Sequence, residues 1–248
     1  MHRRTLLRGT TALGAAALTA SATPAHATAA AAASAVPGRA GGPQRVHVVM
    51  FEGVEELDHV APYEVFSAAD HFADRGVEVR YVTMGNARTV RGAYGSRIHV
   101  DHRWAPDEAD VLVVPGGGYT RREDPGVWAE IRRGTLPRAL AAAARPGLTI
   151  SALCTGVMLL SAAGLTKGRP CTTHHRVRAD LERQGGVVKD ARVVDDGDLV
   201  TAGGVTSGLD LALWLVRREL GADAAIGLEG MLEYEARGTV WQAAPDRR

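Results

Sequence analysis

The run Leu148-Thr-Ile-Ser-Ala-Leu-Cys-Thr-Gly-Val-Met-Leu-Leu160 joins a strand, a sharp turn and a helix in thirteen consecutive residues. Residues 148–153 are apolar and predict a buried strand, and residues 155–163 predict a helix that Gly164 ends. Cys154 therefore falls on the turn, beside the unpaired amides of a helix N-terminus. Those amides and the helix dipole favour the thiolate, so we expect a lowered pKa and a reactive thiol. The alternative is a small buried apolar residue, because free cysteine is often buried.

Strands and helices alternate through most of the chain. The predicted strands are 45–51, 78–84, 110–114, 148–153 and 171–174, with half of an exposed hairpin at 97–101 and an antiparallel pair turned by Asp196-Gly197. The predicted helices are 62–73, 125–144 with an interruption near Gly134 and Pro137, 155–163, 177–184, 207–220 and 222–234. This order predicts an α/β fold, a flavodoxin-like doubly wound sheet, mostly parallel, with helices on both faces and a nucleophile elbow.

In such sheets, ligands bind at the carboxyl ends of the strands, near a topological switch point. Three loops should meet there. They are the loop after Phe51, the glycine-rich loop after Val114 and the turn that carries Cys154. We therefore expect the functional site where these three loops come together.

The N-terminal residues differ in composition from the rest. Paired arginines at Arg3 and Arg4 precede an Ala-rich apolar segment, and Pro24-Ala-His-Ala27 resembles a cleavage site, so residues 1–27 are interpreted as a twin-arginine signal peptide. The apolar segment is too short for a membrane span. Residues 28–44 are mostly Ala, Gly, Ser and Pro and are interpreted as a disordered linker before a single domain at 45–242. We expect export by the twin-arginine route and a protein that is soluble, periplasmic or extracellular, after cleavage near Ala27.

Charge and cysteine content limit the partners. The formal net charge is +1, from 29 basic and 28 acidic residues, which gives no reason to expect a nucleic-acid partner. Cys154 and Cys171 could form a disulfide in an exported chain if their Cα atoms lay within about 7 Å. A catalytic cysteine with an incidental second one is the favoured interpretation. His99, Asp101 and His102 make a poor metal cage, because a strand places the first two on one face and the third on the other.

Four carboxylates follow the first predicted strand, in Glu52-Gly-Val-Glu-Glu-Leu-Asp58. Glu52 and Glu55 are interpreted as members of a solvated acidic loop. Asp58 differs, because it lies between Leu57 and the apolar start of the next helix and should be partly desolvated. Desolvation raises the pKa of a carboxyl group, which suits a proton donor and acceptor beside a thiol.

Several motifs together carry a family resemblance. Gly53-x-x-x-Leu-Asp58, Pro62-x-Glu-Val-Phe66, Val113-Val-Pro-Gly-Gly117, Cys154-Thr-Gly156, Ala163-Gly-Leu165, Thr172-Thr-His174 and Val200-Thr-Ala-Gly-Gly204 occur in order between about residues 45 and 234. In this the chain resembles the ThiJ/PfpI superfamily, and within it the isonitrile hydratases most.

The resemblance implies a catalytic site residue by residue. Cys154 would be the nucleophile, Asp58 the acid/base carboxyl and Thr155 the threonine that follows the nucleophile in the hydratases. The Gly116-Gly117 loop would line the substrate pocket, and the amides of Gly117 and Thr155 would stabilise an anion there. His174 matches the Thr-Thr-His histidine.

His175 would be a changed wall of this pocket, because the hydratase pattern usually has tryptophan there. The resemblance further implies a small-molecule substrate, no cofactor, no metal and a homodimer.

Two other interpretations stay open. The first is a glyoxalase-like or deglycase-like enzyme acting on α-oxoaldehydes, although those relatives usually pair the cysteine with glutamate where this chain has Asp58. The second is a ligand-binding or redox-sensing module. As the sensing half of a transcription regulator it would need a helix-turn-helix domain, for which the chain has no room after Tyr234.

Overall fold

The computed structural model describes residues 42–243. The predicted signal peptide and nearly all of the predicted linker lie outside these residues. The strands are β1 Gln44–Met50, β2 Val77–Thr83, β3 Arg88–Arg91, β4 Arg97–Val100, β5 His102–Arg103, β6 Val111–Val114, β7 Thr149–Leu153, β8 Pro170–Cys171, β9 Val187–Val188, β10 Val193–Asp195, β11 Leu199–Ala202 and β12 Val240–Gln242. The helices are α1 Glu56–Ala69, α2 Val127–Arg133, α3 Thr135–Ala143, α4 Val157–Ala162, α5 Arg178–Arg183, α6 Ser207–Glu219 and α7 Ala222–Leu232. No helix in this part of the chain is long and apolar enough to span a bilayer.

Eight strands form the central sheet in the order β12-β10-β11-β7-β6-β1-β2-β5. All neighbours pair in parallel except β10 and β11, which form the antiparallel pair expected around Asp196-Gly197. The chain runs from β1 outward to β2, then returns to place β6 on the other side of β1. This reversal is a topological switch point, and the loops after β1, β6 and β7 meet beside it.

The helices cover both faces of the sheet. Helices α1, α6 and α7 pack against one another, and α2, α3 and α4 form a second group. Strands β6 and β7 are buried along their whole length, as expected for parallel strands between two helical layers. The mostly parallel, doubly wound fold expected from the alternation is confirmed.

Two elements that carry the site differ from their predicted boundaries. Helix α1 begins at Glu56, six residues before the predicted start at Pro62, so Asp58 lies in its first turn and not in a loop. Proline favours the first turn of a helix, but here the Glu55 side chain caps the helix and Pro62 lies inside it. The predicted helix after Cys154 starts as a 3-10 turn, Cys154–Gly156, before α4 begins.

Candidate active site

Cys154 occupies a strained turn directly after β7. Its φ is +52°, a left-handed conformation that non-glycine residues seldom adopt. Two hydrogen bonds hold this backbone: Cys154 N donates to Gly203 O at 2.8 Å, and Thr173 Oγ1 donates to Cys154 O at 2.7 Å. A Cβ atom on Gly156 would lie 2.3 Å from Val114 O, so only glycine lets the turn pack this closely against the end of β6. The elbow expected from the sequence is confirmed.

Asp58 lies beside this thiol and is completely buried. Its Oδ2 accepts the Gly116 N–H at 2.9 Å, and the Cys154 side chain lies close enough that each of the two groups shifts the pKa of the other. The other oxygen, Oδ1, is buried and has no N–H or O–H donor among residues 42–243. An acid/base group with one free buried oxygen next to a nucleophile is able to move a proton between the thiol and a bound molecule.

The electrostatics of the pair correct one expectation. Burial raises the pKa of the Asp58 carboxyl well above 3.8, and the nearby Glu55 charge raises it further. Burial, followed by the Asp58 charge, also raises the pKa of the Cys154 thiol. The predicted lowering of the thiol pKa is therefore wrong, because desolvation and a carboxylate neighbour outweigh the amides of the turn. At neutral pH Cys154 rests as a thiol, and Asp58 is the group placed to take its proton.

Two backbone amides act on the sulfur in the opposite direction. The backbone N–H groups of Thr155 and Val205 lower the pKa of the Cys154 thiol and so favour the thiolate. The Thr155 amide matches the predicted anion-stabilising donor. Val205 was not predicted; it follows the Gly203-Gly204 pair after β11 and has a φ of +45°. Its position at the carboxyl end of the strand next to β7 is the signal that could have identified it.

The glycine-rich loop contacts Thr155 and Asp58. Thr155 Oγ1 accepts the Gly117 N–H at 2.9 Å, so in this structure that amide is occupied and does not face the pocket as an anion donor. A Cβ atom on Gly116 would lie 2.6 Å from Thr155 N and 2.9 Å from Asp58 Oδ2. Glu55 N donates to Gly116 O at 2.9 Å. The three loops meet as predicted, and the absence of a side chain at Gly116 is what permits the contact.

A cavity of about 300 Å³ opens onto Cys154. Its lining includes Thr155, Gly117 and His174, all predicted site residues, together with other side chains that the sequence analysis had not assigned: Glu55, Tyr94, Tyr119, Arg121, Arg176 and Val177. The volume is at the lower end of the usual range for small-molecule sites. The cavity therefore suits a small ligand.

The two consecutive histidines lie in different places. His174 lines the Cys154 cavity, and its ring packs so closely on Gly204 that a Cβ atom there would lie 2.2 Å from Cδ2. Burial, with smaller contributions from His175 and Arg176, lowers the pKa of His174, so it is neutral at pH 7. His175 is exposed, stacks on His174 with ring centroids 4.4 Å apart, and lines a neighbouring depression. It does not line the Cys154 cavity, because the chain turns into a 3-10 helix at this residue.

The acidic loop is structural and not merely solvated. Glu55 Oε2 accepts the Asp58 N–H at 2.9 Å and so caps α1, while Glu52 Oε1 pairs with Arg88 Nη1 at 2.7 Å. Glu56 Oε1 accepts the N–H groups of Tyr94 and Ser96 at 2.9 and 3.3 Å. These bonds connect the β3-β4 hairpin to the start of α1. The second strand of this hairpin, β4, was predicted at residues 97–101 and is confirmed. Glu52 and Glu55, interpreted from the sequence as members of a solvated acidic loop, are partly exposed and in addition form these structural bonds.

Cys154 and Cys171 are both free thiols, and both are buried. His99 Nε2 lies 3.1 Å from Asp101 Oδ1 on the surface. Among the described residues, no three His, Cys, Asp or Glu side chains are grouped as metal ligands would be.

Comparison with known proteins agrees with this geometry. The model of the DJ-1/PfpI family matches residues 44–218. These residues include every strand of the central sheet except β12, and the helices from α1 through nearly all of α6. This chain belongs to the DJ-1/PfpI family.

Within the DJ-1/PfpI family, the relatives differ in activity. An isonitrile hydratase from Pseudomonas putida is 31% identical over 205 residues, which cover 82% of this chain and 83% of that protein. A deglycase from Thermococcus kodakarensis is 28% identical over 161 residues, which cover 64% of this chain and 89% of that protein. The crystal structure of a ThiJ/PfpI family protein from Pseudomonas syringae superposes with a TM-score of 0.69 at 26% identity, covering 83% of this chain and 78% of that one.

Proposed function

We propose that this DJ-1/PfpI protein is an isonitrile hydratase, an enzyme that adds water to an isonitrile and releases an N-substituted formamide. The observation that supports the proposal most is the buried pair of Asp58 and Cys154, of which Cys154 lines a small cavity. The 31% identity to an isonitrile hydratase over most of both chains points to the same chemistry.

The first step uses the raised pKa values of the pair. Asp58 takes the thiol proton as Cys154 Sγ attacks the terminal carbon of the isonitrile, and the carboxyl then delivers that proton to the same carbon. A carbon–sulfur bond and a carbon–hydrogen bond form, and the carbon–nitrogen triple bond becomes a double bond. The product of this step is a thioimidate attached to Cys154.

The second step is hydrolysis. Asp58 takes a proton from water as the water oxygen attacks the thioimidate carbon, and the carboxyl then gives this proton to the nitrogen. Asp58 then takes the proton of the new hydroxyl group as the carbon–oxygen double bond forms and the carbon–sulfur bond breaks. The Thr155 and Val205 amides assist the departing sulfur, which receives that proton from Asp58. The formamide is released, and the pair returns to its starting state.

The test is to incubate the purified protein with cyclohexyl isocyanide and to follow formamide production by chromatography. Cys154→Ala should abolish the product, whereas Cys171→Ala, at the other free thiol, should retain it. Equal rates in wild type and Cys154→Ala would overturn the proposal. Absence of formamide, with the Cys154 thiol shown to react with iodoacetamide, would also overturn it and favour the α-oxoaldehyde chemistry suggested by the Thermococcus deglycase.

A further inference from the structure

Two arginine side chains on the lining of the Cys154 cavity have no firm partner. Arg121 Nε lies 3.7 Å from Asp124 Oδ2, which is longer than a hydrogen bond, and half of the Arg121 side chain is exposed. Arg176 is exposed, and within residues 42–243 its guanidinium forms no hydrogen bond or ion pair. The cavity lining therefore includes two guanidinium groups that form no hydrogen bond within residues 42–243.

Neighbouring arginines are already engaged. Arg122 lies over the Trp128 ring, with its guanidinium carbon 3.4 Å from the ring centroid, and Arg178 pairs with Asp190 at 2.8 Å. Arg121 and Arg176 differ from these two neighbours, because their guanidinium groups form no hydrogen bond within residues 42–243.

Two acidic groups lie near the thiol. Asp58 is completely buried next to the thiol, and Glu55, whose Oε2 accepts the Asp58 N–H, lines the cavity beside it. Ala93 and Val177 provide apolar lining. The arrangement is complementary to a small molecule with an uncharged reactive carbon at one end and an anion at the other.

We propose that the substrate is a small isonitrile that carries a carboxylate. The isocyano carbon lies at Cys154, and the carboxylate is bound by the guanidinium groups of Arg121 and Arg176. Guanidinium groups bind carboxylates through paired N–H donors, which also fixes the orientation of the bound molecule. This inference rests on the proposed hydratase function and adds to it the charge of the substrate.

The experiment compares isocyanoacetate with its methyl ester, which has the same reactive carbon and no charge. The ratio of kcat/KM for the acid to that for the ester should exceed one in the wild type. Each of Arg121→Gln and Arg176→Gln should lower this ratio about two- to fivefold through the KM of the acid, since exposed charge pairs contribute up to about 1 kcal/mol. The double variant should bring the ratio close to one, and added salt should reduce it in the wild type.

Arg217→Gln is the matched control, because Arg217 is exposed on α6 and does not line the cavity. It should leave the ratio unchanged. A wild-type ratio of one or less, or a double variant that keeps the wild-type preference, would overturn the inference.

A binding measurement separates this inference from the hydratase proposal. If neither compound is turned over, the proposed function fails, but calorimetric titration of Cys154→Ala with the acid and with the ester still tests the anion site. Tighter binding of isocyanoacetate that disappears with Arg121→Gln/Arg176→Gln supports the site. Equal binding of acid and ester contradicts it.

Discussion

Cys154 and Asp58 form a pair whose properties depend on burial. Each group has a pKa above its ordinary value, because both lack water and their negative charges repel each other. The proton that the two groups share is available for catalysis. Ionisation of the buried carboxyl group, however, reduces the stability of the fold. The pair therefore links activity to the pH dependence of stability.

Replacing Asp58 with Asn should lower turnover at least about 100-fold, because a general acid/base contributes on that scale. It should also change stability. The folded-state pKa of Asp58 lies above its unfolded value, so its contribution to stability is complete below pH 3.8 and is lost as pH rises through the folded pKa. The introduced asparagine would not ionise and could still accept the Gly116 N–H. Thermal unfolding across a pH series should show that the stability of Asp58→Asn increases relative to the wild type as pH rises. A difference in stability that does not change with pH would contradict this.

Thr173 holds the strained elbow through its hydroxyl, which donates to Cys154 O at 2.7 Å. Thr173→Val removes the hydroxyl that donates to this buried carbonyl and should reduce the free energy of unfolding by about 0.5–1.5 kcal/mol, with a lower rate of thiol alkylation. The neighbouring Thr172 is a matched control, because its buried Oγ1 has no hydrogen-bond partner among the described residues. Thr172→Val should be neutral or stabilising in urea unfolding. Equal losses for both variants would show that the Thr173 bond has no special role.

At the level of elements, the first turn of α1 positions the acid/base group. The side chain of Glu55 caps this helix at Asp58 N, and Glu56 binds the hairpin that carries Tyr94 onto the cavity. One turn of helix thus fixes the carboxyl group and one wall of the pocket together. These bonds give Glu55 and Glu56 a structural role close to Asp58.

Glu55→Gln should shift the pH dependence of the reaction to lower pH. The Glu55 charge raises the pKa of Asp58, and glutamine removes the charge while keeping an oxygen for the helix cap. If Asp58 acts as a base, the acidic limb of the kcat/KM profile for cyclohexyl isocyanide moves with its pKa. Glu52→Gln is the control, because Glu52 contacts Arg88 and Arg91 instead. If the acidic limb of the profile does not move in Glu55→Gln, Asp58 is not the group whose ionisation determines that limb.

Across the whole molecule, Arg218 connects α6 to the half of the sheet that supports the elbow. Its Nη1 contacts both carboxyl oxygens of Asp195 at 3.1 Å and Gly197 O at 2.8 Å, and its Nη2 donates to Thr149 Oγ1 at 2.8 Å. The side chain is 2% exposed. These bonds join α6, the β10-β11 turn and the first residue of β7. They lie at the amino end of β7, opposite the end that carries Cys154.

Arg218→Met should lower the free energy of unfolding by about 3–5 kcal/mol, since it leaves the buried Asp195 carboxylate without its cation. Arg217 is the exposed neighbour of Arg218 and serves as the control. Arg217→Met should change the free energy of unfolding by no more than about 0.5 kcal/mol. Urea unfolding of both variants measures the difference. A small loss in Arg218→Met would mean that Trp214, which also donates to Asp195, satisfies the carboxylate alone.

The doubly wound sheet, the elbow at Cys154 and the meeting of three loops were predictable because they depend on local signals. Apolar periodicity marks strands and helices, and glycine and proline mark the turns between them, so neighbouring residues carry this information. The same reasoning placed the start of α1 at Pro62 because the cap that starts it earlier is a glutamate, a residue type that the usual capping preference does not include.

Only the tertiary structure decided the electrostatics and the free donors of the site. Asp58 and Gly116 are 58 positions apart in the chain, and no local pattern shows that one accepts a hydrogen bond from the other. The raised thiol pKa, the occupied Gly117 amide and the Val205 amide at the sulfur follow from how tightly distant loops pack. Sequence determines which groups are available and where the chain turns. Desolvation and contact between distant residues determine which of those groups hold protons, because both depend on what surrounds a side chain in space.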